Sequence, residues 1–425
     1  MLRCNAVGFL PREAPLAGLC TGTSGPRVRK LESHMPRIGF ESWEASSAVI
    51  DGRRRAVFGG CNYLGLAHHP EVQRAAIEAM GRWGLTTTAS RETTGNTRAH
   101  EALEAEVAGF LGKPAAILTT EGYTANIALL QGLAGDYHTA ILDERAHSSV
   151  VFAVRAAGLE VEQYSHLSAQ DAVGRARAAL SRGRRAVVMA DGVFAAGGGV
   201  TPCREILAGL PEEGAVLVID DCHGFTVLGE QGRGTPDHFG VAGDRRLIIT
   251  TTFGKGLGCY GGAVVGGVDL VAAVRDRSRL YVGTTPCPPP MVEAARVALR
   301  ILSSDATLLA KLRSNIRTMQ AVLSEAVGWT PTRHEYPTVG ARGEPALVPI
   351  FAFACGNRAE MEAAQRSLDE DGFFVPLIDY PGGPTPWYFR PTVNAGHEDS
   401  TIAEFGMAVA RAFSGVLGSR NVPRA

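Results

Sequence analysis

The sequence predicts an α/β protein: a large domain built on a mostly parallel sheet, followed by a smaller C-terminal α/β domain. Three observations carry that expectation. Apolar runs of strand length recur between residues 115 and 251, stretches of helical period separate them, and the runs stay apolar at successive positions. Strands buried on both faces and alternating with helices imply a sheet covered by helices on each side. With 425 residues and 45% hydrophobic side chains, the chain can bury a core of that size.

Residues 1–35 are rich in Gly, Pro and Arg and read as a poorly structured leader, with Met35 as an alternative start. They fit neither a secretory signal nor a transit peptide, because the apolar runs are short and Glu13 and Glu32 interrupt them. Residues 36–60 read as an N-terminal arm, 61–300 as the large domain and 301–425 as the small one. Strands are expected at AAILTT (115–120), HTAILD (138–143), RAVVMAD (185–191), AVLVID (215–220) and RLIITT, which ends at Thr251. Helices are expected at HEALEAEVAGFLG, TANIALLQGLAG, SSVVFAVRAAG and QDAVGRARAALSRG, where apolar side chains return every three to four residues. After TTPCPPP (284–290) come helices over 291–304 and 305–328. A strand at ALVPIFAFA, a helix near 358–371, a strand around WYFRPTV and a helix over 399–417 complete the chain.

Bulk properties exclude several function classes. A net charge of −1 leaves no electrostatic footprint for nucleic acid. No apolar run is long enough to span a membrane. The eight cysteines form no CxxC pair, so reduced thiols in a cytoplasmic protein are expected rather than disulfides or a zinc site.

Lysine is scarce: only Lys30, Lys113, Lys255 and Lys311 occur among 42 basic side chains. Arginine keeps its proton, whereas a lysine amine can become a neutral nucleophile. Lys255 lies in TTFGKGLGCYGG (251–262), a glycine-rich turn after an apolar strand. A phosphate-binding P-loop needs Ser or Thr after the lysine, and Gly256 stands there. Glycines on either side mark close approach of the backbone to something, which disfavours an ordinary surface lysine. A Schiff-base lysine for pyridoxal phosphate meets both requirements.

That cofactor needs an anion to keep its pyridine nitrogen protonated. VLVIDDCHG ends a strand with Asp220 and Asp221, followed by His223. Asp220 is the candidate for the pyridinium, with a helix cap as the alternative reading. His223 is placed for the phenolic oxygen. His147, in LDERAHSSV, reads either as a helix-capping or satisfied buried histidine or as a ring stacked on the cofactor. TTEGYTAN (119–126) ends a strand and opens a helix at Gly122, where N–H groups suit a phosphate.

In order and spacing these motifs resemble the α-oxoamine synthases, from NYLGLAHHP (62–70) to RPTVNAGH (390–397). DDCHGFTVLGEQGRG (220–234) and TTFGKGLG (251–258) are the most specific pieces, closest to the 8-amino-7-oxononanoate synthase branch. The resemblance implies a homodimer of PLP-dependent fold type I (aspartate aminotransferase-like), with active sites at the interface. It makes Lys255 the lysine bonded to the cofactor, and pairs Asp220 with the pyridinium, His223 with the phenolic oxygen and His147 with the ring face. It puts Gly122, Tyr123 and Thr252 at the phosphate, with Thr285 reaching it from the neighbouring subunit, and Arg390 on the amino-acid carboxylate.

Four departures surround the substrate. Thr86, Thr87 and Thr88 replace small residues in a loop that shapes the acyl-thioester entrance in relatives, or else form a rigid strand edge. Glu121 stands where Ser or Thr precedes the phosphate glycine, and is expected to point away or to pair with an arginine. Ala195 removes a hydroxyl, and Cys61, beside Asn62, replaces an Asn or Tyr near the substrate carboxylate. The implied reaction is a decarboxylative condensation of a small amino acid with an acyl thioester, borne by coenzyme A or a carrier protein, to an α-aminoketone. The alternatives are another fold-type I reaction, such as aldol cleavage or amino transfer, and a non-catalytic partner subunit.

Overall fold

The computed structural model describes residues 38–330 and 339–418, so the expected leader (1–35) lies outside the described residues. Thirteen strands are β1 (Ser42–Trp43), β2 (Ser47–Ile50), β3 (Arg53–Val57), β4 (Ala115–Thr119), β5 (Thr139–Asp143), β6 (Glu160–Tyr164), β7 (Ala186–Asp191), β8 (Ala215–Asp220), β9 (Leu247–Thr252), β10 (Gly262–Gly266), β11 (Phe373–Phe374), β12 (Leu377–Ile378) and β13 (Tyr388–Phe389). The central sheet has seven strands in the order β4-β10-β9-β8-β7-β5-β6. Only β10 runs antiparallel to its neighbours.

The helices that cover it begin with α1 (Pro70–Trp83), α2 (Arg98–Phe110), α3 (Gly122–Leu133), α4 (Ser148–Ala157) and α5 (Ala169–Ser181). Short α6 (Cys203–Gly209), α7 (Thr235–His238), α8 (Val268–Arg277) and α9 (Arg279–Gly283) follow. The C-terminal part holds α10 (Pro289–Ser304), α11 (Ala306–Val327), α12 (Arg358–Glu370) and α13 (Asp399–Gly418). Ile117, Val187, Val218 and Val264 of the sheet are fully buried against Leu129 of α3, Val150 of α4 and Val274 of α8. Each such side chain contributes about 1.5–3 kcal/mol on leaving water.

The five strands expected between 115 and 251 are present, and β6 and β10 join them unannounced. β6 reads EVEQY, without an apolar run, because it is an edge strand with charged side chains in solvent. β10 reads GAVVG, too short to stand out beside the glycine turn, yet all five residues are buried. The strand expected at ALVPIFAFA is instead a pair of isolated bridges, Ile350 to Thr392 and Phe353 to Phe389. Between the two bridges Phe351 N–H reaches the Pro391 carbonyl (2.9 Å), but Pro391 has no N–H to return, which accounts for the interruption. Residues 42–57 form three strands, and β3 pairs in parallel with β11.

Candidate active site

The C-terminal ends of the parallel strands open on one cavity of about 260 Å³. Its lining comes from the turns after five strands: Gly122 and Tyr123 after β4, His147 and Ser149 after β5, Asp191 on β7, Asp220 and His223 from β8, and Thr252 and Lys255 from β9. Ligands collect at this end of parallel sheets because helix N-termini and strand-end side chains converge there.

The Lys255 turn is shaped by close packing. A Cβ on Gly256 would overlap the Thr226 hydroxyl, and Thr226 itself holds a positive φ of 71°. The turn is tied by Gly258 N–H to the Lys255 carbonyl (2.8 Å) and by Phe253 N–H to that of Gly261 (2.9 Å). Lys255 Nζ lies 2.8 Å from His223 Nε2. His223 Nδ1 lies 2.7 Å from the hydroxyl of Tyr63, which is buried. Burial, helped by the charges of Lys255 and Arg390, pushes the His223 pKa well below 6.5.

Asp220 closes β8, and no helix begins there, so the helix-cap reading fails. Its Oδ2 accepts from Asn126 Nδ2 (2.7 Å) and its Oδ1 from Cys222 N–H (3.2 Å). Asp221 anchors α7 instead, accepting the Thr235 hydroxyl (2.6 Å) and N–H (2.9 Å). Asp191 is the register partner of Asp220 on the adjacent strand. Burial and the neighbouring Asp220 push the Asp191 pKa well up, and its carboxyl accepts the His147 N–H (3.1 Å).

The helix-capping reading of His147 holds: Nδ1 accepts Ser149 N–H (3.2 Å) at the start of α4, and the residue also lines the cavity. Burial lowers its pKa, with Lys255 adding to the effect and Asp220 opposing it. The ring of Tyr123 stands edge-on at 6.3 Å. Gly122 starts α3, where a Cβ would come within 2.7 Å of Thr252 Cβ and 2.9 Å of Cys222 Sγ. Thr252 Oγ1 donates to the Gly261 carbonyl (3.1 Å) and accepts Gly254 N–H (3.1 Å).

The residues that the resemblance assigns to the substrate are not part of this lining. Arg390 follows β13 and is half-buried, its guanidinium 5.4 Å from the centre of the Tyr380 ring and its Nη1 3.4 Å from the Ala195 carbonyl. Cys61 neighbours the Tyr63 hydroxyl, and Asn62 Oδ1 closes a turn on Ala67 N–H (3.3 Å). Thr86–Thr88 form no strand edge: they lie in a bend in which Thr88 has a φ of 55°, so the ladder that such an edge needs cannot continue. Thr285 is exposed in the segment between α9 and α10. Glu121 is among the residues around the cavity and pairs with no arginine among the described residues, which corrects the expected ion pair. As residue N-terminal to α3 it is held at the helix mouth, its N–H bonded to the Thr124 hydroxyl (3.2 Å).

Sequence reasoning missed Tyr63, Asn126, Ser149, Asp191 and Thr250. Asp191 carried a legible signal, since it closes its strand as Asp220 does. Asn126 lies one helical turn beyond Gly122 and so on the same face. Tyr63 carried none. The residues present fit pyridoxal phosphate: an amine, an ionisable acid fixed by two donors, a histidine on each side, and a helix start opposite a hydroxyl.

The aminotransferase class I and II model matches residues 57–409. An 8-amino-7-oxononanoate synthase of Methylococcus capsulatus is 35% identical over 88% of this chain and 93% of its own length. A serine palmitoyltransferase of Bacteriovorax stolpii is 33% identical over 86% of this chain and 84% of its own length. Among solved structures, a serine palmitoyltransferase from S. paucimobilis with a bound PLP–myriocin aldimine superposes with a TM-score of 0.80 at 26% identity, covering 90% of this chain and 93% of that one. The chain therefore belongs to the aminotransferase class I and II family, as a pyridoxal-phosphate-dependent acyltransferase of the α-oxoamine synthase type.

Proposed function

We propose that the chain condenses a small amino acid with an acyl thioester, delivered by coenzyme A or a carrier protein, and releases CO2, free thiol and an α-aminoketone. The convergence of Lys255, His223, Asp220 and His147 on one cavity, with Arg390 beside it, is the observation that carries this reading. Pyridoxal phosphate, when bound, supplies a protonated pyridine that accepts the electron pair left at the α-carbon.

The chain's own residues do the rest. Asp220 would be the anion for the ring nitrogen, and His223 would serve the phenolic oxygen. The α3 N–H groups at Gly122 and Tyr123, with the Thr252 hydroxyl, would hold the phosphate, with Thr285 supplied by a second copy. Lys255 would hold the cofactor covalently, and its amine would take the α-proton on Nζ. Arg390 holds the amino-acid carboxylate, with Cys61 and Asn62 beside it, and Thr86–Thr88 border the thioester entrance. His147 would cover the ring face and donate to the acyl carbonyl.

A homodimer with shared active sites, working in the cytoplasm, completes the reading. No described helix is long and apolar enough to cross a membrane. The decisive assay pairs candidate amino acids with acyl thioesters of graded length and follows free thiol and CO2. Release of both is expected with one pair. No thiol from any donor, or turnover of a β-hydroxy amino acid without one, would overturn the condensation. Sedimentation of the loaded enzyme as a monomer would overturn the shared site.

A further inference from the structure

We infer that Thr250, Asn126 and Ser149 form a one-directional hydrogen-bond chain that makes His147 present an N–H, and not a lone pair, to the cavity. For its catalytic meaning the inference rests on the function proposed above; the hydrogen-bond polarity itself can be measured without it.

The chain starts at Thr250, fully buried on β9 as the register partner of Asp220. Its hydroxyl donates to Asn126 Oδ1 at 2.7 Å. Asn126, also fully buried, is held in that orientation, because the flipped amide would press Oδ1 against the Asp220 carboxylate. Its two Nδ2 hydrogens then go to Asp220 Oδ2 (2.7 Å) and to Ser149 Oγ (3.1 Å). Having accepted there, the Ser149 hydroxyl directs its own hydrogen to His147 Nδ1 at 2.8 Å. The Ser149 backbone N–H donates to the same nitrogen at 3.2 Å. Two donors aimed at Nδ1 require a lone pair on it, so the ring proton sits on Nε2.

Charged and titratable groups face His147 from every side. Asp191 on β7 accepts its backbone N–H, Asp220 on β8 attracts a proton, Lys255 and His223 from the loops oppose one, and Tyr123 on α3 stands edge-on. Burial is the largest influence and lowers the His147 pKa, which favours the neutral ring. An Nε2–H donor suits a carbonyl oxygen gaining negative charge, as in the acyl thioester, and leaves proton abstraction to Lys255. Asn126 and Ser149 are thus positioning residues that link the anion at Asp220 to the donor at His147.

The test is two-bond 1H–15N correlation on the cofactor-free protein labelled at histidine, with the His147 signals identified by their loss in His147→Gln. A neutral ring protonated at Nε2 is expected at neutral pH. Ser149→Ala removes one of the two donors, so the His147 protonation midpoint moves up. In the loaded enzyme kcat falls about fivefold, the worth of one net hydrogen bond, while KM for the amino acid holds. Ser149→Thr keeps the hydroxyl and restores both. A ring protonated at Nδ1, an imidazolium at neutral pH, or an unmoved midpoint in Ser149→Ala would each overturn the inference. The parent spectrum decides the tautomer even where Ser149→Ala does not fold. Absence of thiol release alongside the expected tautomer would count against the proposed reaction and not against this chain of bonds.

Discussion

At the residue scale, Lys255 was readable because composition singled it out: one of four lysines, ringed by glycines, at a strand end. Replacing it with Ala is expected to abolish the visible absorption of the lysine-bound cofactor. Turnover should fall about a hundredfold to ten-thousandfold, the range for losing one proton-transfer group. Retention of both would remove Lys255 from the centre of the site. Arg390→Ala should raise KM for the amino acid about tenfold to a hundredfold, the range for charge-assisted hydrogen bonds to a carboxylate. Steady-state kinetics at saturating thioester checks it, and a pure kcat effect would argue against carboxylate binding. Tyr63, Asn126 and Thr250 could not be read this way. Their meaning lies in partners far away in sequence, such as Tyr63 to His223 and Thr250 to Asn126.

At the element scale, apolar runs marked the interior strands, since burial on both faces demands them. β6 escaped because an edge strand needs no such run, and β10 because five residues between glycines look like the rest of a turn. The turn from β9 to β10 is where element and site meet. Gly256→Ala should lower stability by about 1–3 kcal/mol, the usual cost of overpacking. Cofactor retention should weaken with it. Adding Thr226→Gly removes the colliding hydroxyl and suits the positive φ there, so the double variant should recover most of the loss. Thermal melts of the four proteins in the cycle check this; no recovery would mean that Gly256 matters for another reason.

At the scale of the whole molecule, His397 ties the C-terminal part to β3. It is buried, its Nδ1 accepts Asn394 N–H (3.1 Å) and its Nε2 meets the Val57 carbonyl (3.1 Å). Burial depresses its pKa from 6.5 to about 4. The folded state therefore binds fewer protons than the unfolded chain, so this contribution is complete above pH 6.5 and is lost as pH falls toward about 4. It amounts to roughly 3 kcal/mol by linkage. His397→Ala should be less stable than the parent at neutral pH, by denaturant unfolding, with the gap closing as pH drops through that window; a constant gap would show that only packing is lost. The sequence by itself determined the class of fold and the lysine, strand-end acid and histidines that line the cavity, because burial pattern, glycine and titratable residue types are local properties of a chain. Only the tertiary structure decided which acid faces the cavity and which caps a helix, which hydroxyls orient His147, and where β10 inserts. Most of those outcomes depend on hydrogen bonds and register between residues far apart in the chain, 94 positions for Asn126 to Asp220 and 124 for Thr250 to Asn126, and no local pattern encodes them.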